Sequence, residues 1–352
     1  MVHTLTPRRV GRVSPGFLIV LFIVTVVAVV AGGVVGSGRD LAPARAAAAE
    51  LLPTPVRLAG TDRYDQAVRA ASAFGSADTV YLASGEKFAD ALSASAVAGA
   101  HGSPLLLTAA DTVPPTVLAQ IVRLTPRTVV VVGGPLSVSD GVLEAISRQV
   151  TGATVVRVDG ADRYEVSRAL VVDPVVGVPH ASELYLASGA DFPDALTASP
   201  AAVHRHAPVL LVDGGEAAPS AAETELMRAL GVRAVTIVGG PRSVGSALEA
   251  ELRSTMAVSR IAGADRYEVG VAVNRADFDS ASTVYLASAA SFPDALSGGP
   301  LAALQSAPLY VVPQNCVPAA VLGELARLAP TRIVVLGGPA TLGPGVDALR
   351  PC

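Results

Sequence analysis

The 352-residue sequence predicts an α/β protein made of three tandem domains, each with an open, parallel β-sheet. Two observations predict this class. The chain repeats itself with a period of about 100 residues, and inside each repeat short apolar runs alternate with stretches of helical length. An apolar content of 51% is enough to bury a core in each domain.

The repeats share four motifs in the same order. The first is RLAGTDRY (57–64), RVDGADRY (157–164) and RIAGADRY (260–267). The second is TVYLASGEKFADALSA (79–94), ELYLASGADFPDALTA (183–198) and TVYLASAASFPDALSG (283–298). The third is SPLLL (103–107), APVLL (207–211) and APLYV (307–311). The fourth is VVVVGGPLSVS (129–139), VTIVGGPRSVG (235–245) and IVVLGGPATLG (333–343). Three such series indicate three copies of one unit.

Within the first repeat, continuous apolar runs at 79–83, 104–108 and 128–132 are typical of parallel strands covered on both faces. One helical stripe and two further helical segments alternate with these runs. They are the stripe Tyr64, Ala67, Val68 and Ala71 and the segments 90–100 and 115–124. Alternation of this kind predicts right-handed crossovers, so each repeat is expected to be a small, Rossmann-like open α/β domain.

Short joints separate the repeats, since only a few residues lie between Val150 and Arg157 and between Thr255 and Arg260. We therefore expect the three domains to pack as one compact body. The predicted boundaries are 57–150, 151–255 and 256–352 for the repeats, 47–56 for a linker and 1–46 for an export segment.

The export segment has three arginines, Arg8, Arg9 and Arg12, ahead of an apolar run at 17–35. This length lies between that of a signal-peptide core and the ~20 residues that cross a bilayer. Cleavage after the Ala44-x-Ala46 pattern and retention as a membrane anchor both remain open. Membrane contact is expected through this segment only.

The charge balance excludes one class of partner. The net charge is −4, and it becomes more negative once the arginine-rich residues 1–46 are set aside. Nucleic acid requires a basic footprint, so it is not an expected partner.

Two cysteines, Cys316 and Cys352, both lie in the last repeat. Outside the membrane such a pair is most simply a disulfide. Two thiols without a neighbouring histidine predict no metal site, and no motif predicts a cofactor.

The Gly-x-Asp-Arg-Tyr motif lies where a strand leads into a helix. Its aspartates suit the N-cap position, and each is followed three residues later by an acid in the favourable first turn. The capping aspartates are Asp62, Asp162 and Asp265, followed by Asp65, Glu165 and Glu268. A cap does not require the adjacent arginine, so Arg63, Arg163 and Arg266 serve either as ion pairs between domains or as ligand contacts.

The Phe-(Ala/Pro)-Asp-Ala-Leu motif and the serine before it lie at the carboxyl end of a strand, where open α/β sheets bind ligands. The aspartates of this motif have two possible roles, which are to cap the next helix or to contact a ligand. Gly-Gly-Pro follows another strand; it either forms an ordinary turn or brings backbone N–H groups near an anion.

Catalytic signatures such as HExxH and GxSxG do not occur in the sequence, and the five histidines do not recur between repeats. Matched carboxylates such as Asp62 and Asp90 leave a hydrolytic pair as a minor alternative.

These motifs, in three tandem copies behind an export segment, closely resemble the cell wall binding repeat 2 family of clostridia and many actinobacteria. The resemblance covers about residues 57–352. It implies a pseudo-threefold assembly of parallel α/β domains on the outside of a Gram-positive cell, secreted or membrane-anchored, attached non-covalently to an anionic wall polymer. In the third repeat, Ala289-Ala290 replaces the loop glycine found at Gly85 and Gly189.

The sequence therefore predicts an exported, non-catalytic protein that binds an anionic cell-wall polymer. A cell-wall hydrolase of the amidase type, or its activator, is the alternative, and a structural surface protein is a third reading. The predicted polymer-binding residues are Arg63, Arg163, Arg266, Ser84, Ser188, Ser288, Asp90, Asp194 and Asp294.

Overall fold

The computed structural model describes residues 52–352, in which twelve strands alternate with twelve helices. The predicted export segment and half of the predicted linker lie outside these residues. The strands are β1 (Val56–Leu58), β2 (Thr79–Ser84), β3 (Leu105–Thr108), β4 (Thr128–Val132), β5 (Thr154–Val158), β6 (Glu183–Ser188), β7 (Val209–Val212), β8 (Ala234–Val238), β9 (Ala257–Ile261), β10 (Thr283–Ser288), β11 (Leu309–Val312) and β12 (Arg332–Leu336).

The helices fall into three matching sets of four. The first repeat has α1 (Arg63–Ala71), α2 (Phe88–Ala100), α3 (Pro115–Leu124) and α4 (Asp140–Gln149). The second has α5 (Arg163–Val172), α6 (Pro193–His204), α7 (Ala221–Leu230) and α8 (Ser246–Thr255). The third has α9 (Arg266–Asp277), α10 (Pro293–Leu304), α11 (Ala319–Leu328) and α12 (Pro344–Asp347). Within 52–352 we find no helix that combines the length and the apolar character needed to cross a bilayer.

Three four-stranded sheets form the framework, and every pairing in them is parallel. Their strand orders are β3-β2-β4-β5, β7-β6-β8-β9 and β11-β10-β12-β1. The central strands are buried along nearly their whole length because helices cover both faces, which explains their continuous apolar runs. The predicted α/β class with three parallel sheets is confirmed.

Each sheet takes its last strand from the following repeat. The chain leaves β4, passes through α4 and returns as β5, which begins the second repeat yet pairs with β4. The joint between the first two repeats is thus itself a βαβ crossover, and β8, α8 and β9 form the next one. Because β1 pairs with β12, the same exchange links the first repeat to the third and closes a ring.

The three equivalent helices α2, α6 and α10 pack against one another at the centre of the ring. At their first residues, the rings of Phe88, Phe192 and Phe292 contact each other with centroid separations of 5.8–5.9 Å. At the other end of α2, Gly99 lies against Val203 and Ala303 and leaves no room for a side chain. The helices therefore run parallel around a pseudo-threefold axis.

The predicted disulfide is confirmed: Cys316 and Cys352 are joined, with their Cα atoms 4.9 Å apart. Next to it, Val317 pairs with Pro351 in an isolated parallel bridge. The bond therefore holds the residues that follow α12 against the loop after β11.

Candidate functional site

Clefts lie between consecutive repeats, at the carboxyl ends of the strands. The first has a volume of about 560 Å³; its walls are the loop 86–90 and the turn 134–137 of the first repeat and segment 160–163 of the second. The second, of about 690 Å³, is built in the same way from segments 190–194, 240–243 and 263–266. The motifs of two repeats thus combine in each cleft.

The same motifs meet a third time where β1 pairs with β12. This pairing aligns Leu58 with Leu336, directly before the Gly-Gly-Pro turn of the third repeat. Burial raises the pKa of Asp294 in the third repeat, and Arg63 of the first repeat lies near enough to this carboxyl to oppose that rise. The ring therefore brings equivalent residues together at all three joints.

The capping role predicted for the Gly-x-Asp-Arg-Tyr aspartates is confirmed. The Asp62 carboxylate accepts hydrogen bonds of 2.8 Å from the backbone N–H groups of Tyr64 and Asp65. Asp162 and Asp265 make the same pair of bonds. The following acid closes the turn, since Glu165 accepts from the N–H of Ala161 at 2.8 Å. The carboxylates of these acids therefore accept hydrogen bonds from the protein's own backbone.

The recurring arginines hold the loop after the second motif. Arg163 donates from Nη1 to the carbonyl oxygen of Gly189 at 2.6 Å, and Arg63 makes the same bond to Gly85. A Cβ atom at Gly189 would stand only 2.7 Å from the ring of Tyr164, so a side chain here requires that ring to shift. The third repeat tolerates Ala289 at this position, and Arg266 donates to its carbonyl at 2.9 Å.

Two of these arginines also reach the preceding repeat. The guanidinium of Arg163 lies 5.3 Å from the centre of the Phe88 ring, within range of a cation–π interaction. Arg266 donates from Nη2 to Asp191 at 3.3 Å, and both side chains are well exposed. The carboxylate pair between domains thus exists for Arg266, whereas Arg163 contacts an aromatic ring instead.

Asp90, Asp194 and Asp294 do not cap their helices, which corrects one of the two roles considered above. Helices α2, α6 and α10 begin before these residues, at Phe88, Pro193 and Pro293. In α6 and α10 a proline occupies the first helical position, which it favours. The carboxylates instead face the Gly-Gly-Pro turn. A Cβ atom at Gly133, where φ is +108°, would stand 2.4 Å from an Asp90 oxygen.

Burial raises the pKa of Asp90, Asp194 and Asp294 above the ordinary value for aspartate. A hydroxyl on the neighbouring turn opposes the shift in each case, from Ser137, Ser243 or Thr341. Asp90 lines the first cleft and Asp194 the second, and desolvation disfavours the charged form of both carboxyls.

Ser84, Ser188 and Ser288 are buried at the ends of their strands. Their hydroxyls accept hydrogen bonds of 3.1–3.2 Å from the N–H two residues later, so they shape the loop. Ser188 also lines the second cleft.

A second set of arginines, at the start of the first motif, escaped the sequence analysis. Arg157 lies on the exchanged strand β5 and donates to the carbonyls of Gly133 and Val138 and to the carboxylate of Asp140. Arg260 makes the equivalent bonds to Gly239, Val244 and Glu249. The initial arginine of RLAGTDRY, RVDGADRY and RIAGADRY was the signal available, because it recurs as regularly as the internal one.

The hydrolytic pair suggested for Asp62 and Asp90 is not assembled. Asp90 shares its cleft with Asp162 of the next repeat, and Asp162 is engaged as a helix cap. Among residues 52–352 no group of three or more histidine, cysteine, aspartate or glutamate side chains is placed to hold a metal ion.

Comparison with known proteins identifies the repeats. Cell wall binding domain 2 (CWB2) matches residues 57–143, 157–249 and 260–347, well over half of the chain. N-acetylmuramoyl-L-alanine amidase LytC of Bacillus subtilis (strain 168) is 28% identical over 248 residues, which are 70% of this chain and 48% of that protein. The amidase enhancer of the same strain is 30% identical over 168 residues, 48% of this chain and 22% of that protein. The chain thus spans less than half the length of these relatives.

Two solved structures share the fold. Cwp6 from Clostridium difficile has a TM-score of 0.75 and 25% identity, with 84% of this chain and 48% of that chain covered. Cwp8 from the same organism has a TM-score of 0.72 and 24% identity over 84% of this chain and 51% of that one, which supports the fold. The family model matches each of the three tandem repeats that form the ring of exchanged strands. The chain therefore belongs to the cell wall binding domain 2 family and has a cell-wall-binding role.

Proposed function

We propose that the protein attaches non-covalently to an anionic polymer of the cell wall, through the clefts between its repeats, and catalyses no reaction there. The observation that carries the proposal is the convergence of two repeats in each cleft. An arginine from one repeat and a Gly-Gly-Pro turn from the other line the same cavity. A guanidinium fork matches phosphate or carboxylate oxygens well.

The ring geometry supports anchoring by several weak contacts. The joints are βαβ crossovers, and the central helices pack closely, so the clefts are held at constant separations. A polymer with repeating anionic groups could occupy more than one cleft at once. Occupancy of a second cleft on a rigid body then becomes intramolecular, and overall attachment strengthens by orders of magnitude.

The state of the acids supports a binding role over hydrolysis. Asp162 and Asp265 accept two backbone hydrogen bonds each, and Asp90 and Asp194 face glycine turns. The net negative charge of −4 also supports local contacts rather than bulk attraction.

A wall hydrolase of the amidase type, or an activator of one, is the second candidate. It is favoured by the similarity to the B. subtilis amidase and amidase enhancer. The proposal also includes export through residues 1–46, either as a cleaved signal or as a retained membrane anchor. Mass spectrometry of protein extracted from walls and membranes would identify the N-terminal residue.

One experiment separates the two candidates. Purified protein is incubated with isolated walls, sedimented, and the supernatant assayed for soluble muropeptides. The binding proposal predicts co-sedimentation without release, and it predicts reduced co-sedimentation after hydrofluoric acid removes phosphodiester-linked polymers or carbodiimide amidates carboxylates. Release of muropeptides by the protein alone would favour the hydrolase. No release by the protein alone, together with faster release by an added amidase than that amidase gives by itself, would favour the activator.

A further inference from the structure

The clefts differ in chemistry at one position of the Gly-Gly-Pro turn. The residue after the proline is Leu136 in the first repeat, Arg242 in the second and Ala340 in the third, and all three are exposed. Leu136 lines the first cleft and Arg242 lines the second. The same backbone position therefore presents an apolar, a cationic and a small side chain at the three joints.

Arg242 differs from its neighbouring arginines because its guanidinium has no hydrogen-bond or ion-pair partner within residues 52–352. Arg260 donates to the Gly239 carbonyl and to Glu249, and Arg266 donates to the Ala289 carbonyl and to Asp191. Throughout residues 52–352, no hydrogen bond or ion pair engages the side chain of Arg242. An incoming anion would thus meet this cation without first displacing a protein partner.

None of the carboxylates that line the second cleft forms an ion pair with Arg242. Asp265 accepts hydrogen bonds from the N-terminus of α9, and the partly buried Asp194 lies against Gly239. Asp191 pairs with Arg266 at 3.3 Å on the exposed rim. Arg242 is the charged group of this cleft that the fold does not use.

The first cleft has a different character. Its lysine, Lys87, donates from Nζ to the carbonyl oxygen of Leu136 at 2.8 Å, which draws the ammonium toward the turn. The Leu136 side chain is 89% exposed, and it shares the cleft with the partly buried ring of Phe88. The first cleft thus has an apolar side chain where the second has a cation, and its remaining arginine, Arg163, stacks on the Phe88 ring.

We propose that the cleft between the second and third repeats is the anion-selective subsite and that Arg242 determines this selectivity. The ligand of the second cleft is a phosphate or carboxylate group. This assignment rests on the proposed wall-binding function and adds which of the clefts selects the anionic group.

The test compares four variants of the full protein for binding to isolated walls over a range of salt concentrations. Arg242→Leu removes the cation, and Arg242→Lys retains the charge. Arg332→Leu is the matched control, because Arg332 is exposed at the opposite end of its strand from the clefts. The double variant Leu136→Arg with Arg242→Leu transfers the cation to the first cleft.

We expect Arg242→Leu to bind about tenfold more weakly at low salt and to lose part of the salt dependence, since hydrogen bonds to charged groups are among the stronger ones. Arg332→Leu should stay within about twofold of the parent. Arg242→Lys should keep the salt dependence and lose less affinity than Arg242→Leu, because the ammonium retains the charge but not the fork of donors. The double variant should regain salt dependence without regaining the full affinity.

Equal binding by Arg242→Leu and the parent, or an equal loss in Arg332→Leu, would overturn the assignment while leaving wall binding intact. Absence of binding by the parent would instead overturn the proposed function together with this assignment. Walls treated with hydrofluoric acid and walls amidated with carbodiimide identify the anion. The difference between Arg242→Leu and the parent should vanish on the treated walls that lack the relevant group.

Discussion

Arg57 of the first repeat donates a 2.6 Å hydrogen bond to Asp347 of the third, across 290 positions of sequence. Its other arm donates to the carbonyl of Gly337, also at 2.6 Å. At the other two joints, α4 and α8 connect the paired strands directly along the chain. The joint between β12 and β1 has no such crossover, so this arginine and a three-residue strand close the ring.

We predict that Arg57→Gln lowers the free energy of unfolding by about 2 kcal/mol, because it removes a partly buried charge-assisted bond and leaves the Gly337 carbonyl without its donor. Urea unfolding measures the change. The control is Arg69→Gln, which breaks an exposed i,i+4 pair with Asp65 and should cost about 0.5 kcal/mol or less. Equal losses in both variants would show that Arg57 does not close the ring.

The disulfide is expected to support the same joint. Helix α12, which carries Asp347, spans only Pro344–Asp347, whereas its counterparts α4 and α8 have ten residues each. The Cys316–Cys352 bond and the Val317 N–H bond to the Arg350 carbonyl hold the residues after this short helix. Replacing both cysteines by serine should lower the free energy of unfolding by about 3–4 kcal/mol in the chain-entropy model.

Amide hydrogen exchange in the cysteine variant locates the effect. Exchange should accelerate at β1 and β12, while β5, in the first sheet, should stay as protected as in the parent. Two free thiols in the exported, non-reduced protein, or uniform acceleration at β1 and β5, would contradict this prediction.

The central phenylalanines should make the three repeats unfold as one unit. We predict a single calorimetric transition for the parent. Phe88→Ala removes contacts with both Phe192 and Phe292 and should lower the free energy of unfolding by about 2–3 kcal/mol. The control Val175→Ala changes a side chain that is 76% exposed and should have little effect. Three separate transitions in the parent would refute the cooperative ring.

Stability should depend on pH with opposite signs at two aspartates. Burial raises the pKa of Asp90, although Ser137, Lys87 and Arg163 act against the shift. The folded protein therefore keeps this proton at a pH where the unfolded chain has lost it, and stability falls as pH rises from about 4 through the folded-state pKa. Asp90→Asn should match the parent near pH 3.5 and be more stable at pH 7.

Asp65 is the control of opposite sign. The Thr61 N–H and Arg69 lower the pKa of Asp65, so its contribution is present above the unfolded pKa and is lost as pH falls through the folded one. Asp65→Asn should thus be less stable than the parent at pH 7 and similar at low pH. Thermal melts at both values test the pair, and shifts of the same sign in both variants would contradict the assignment.

Local patterns predicted the elements well. The run 128–132 is strand β4, the segment 115–124 is helix α3, and Asp62 caps α1 as expected. These features were predictable because they depend on the periodicity of apolar residues and on hydrogen bonds between residues close in sequence.

The exchange of edge strands could not be predicted in the same way. β5 is the natural start of the second motif series, and its pairing with β4 depends on the long-range packing of α4. For the same reason the contacts of Arg157 with the preceding repeat were not anticipated, and Arg163, considered as an ion pair between domains, contacts the ring of Phe88 instead. Asp90 was considered as a cap, but the local start of α2 at Phe88 moves it inside the helix.

Binding of an anionic polymer in the clefts is tested most directly at three glycines. Gly134, Gly240 and Gly338 lie in the Gly-Gly-Pro turns, and a Cβ atom added to any of them would meet no atom closer than 4.0 Å. Replacing all three by glutamine narrows the clefts, and replacing them by glutamate adds charge at nearly the same size. A control with glutamate at Gly75, Gly141 and Gly323, all exposed, gives the same net charge elsewhere.

Sedimentation with isolated walls should be weaker for the glutamine variant than for the parent and abolished for the glutamate variant, while the control retains at least half of the parent's binding. Binding of the folded glutamate variant at the level of the control would contradict the account, because the polymer would then be held outside the clefts.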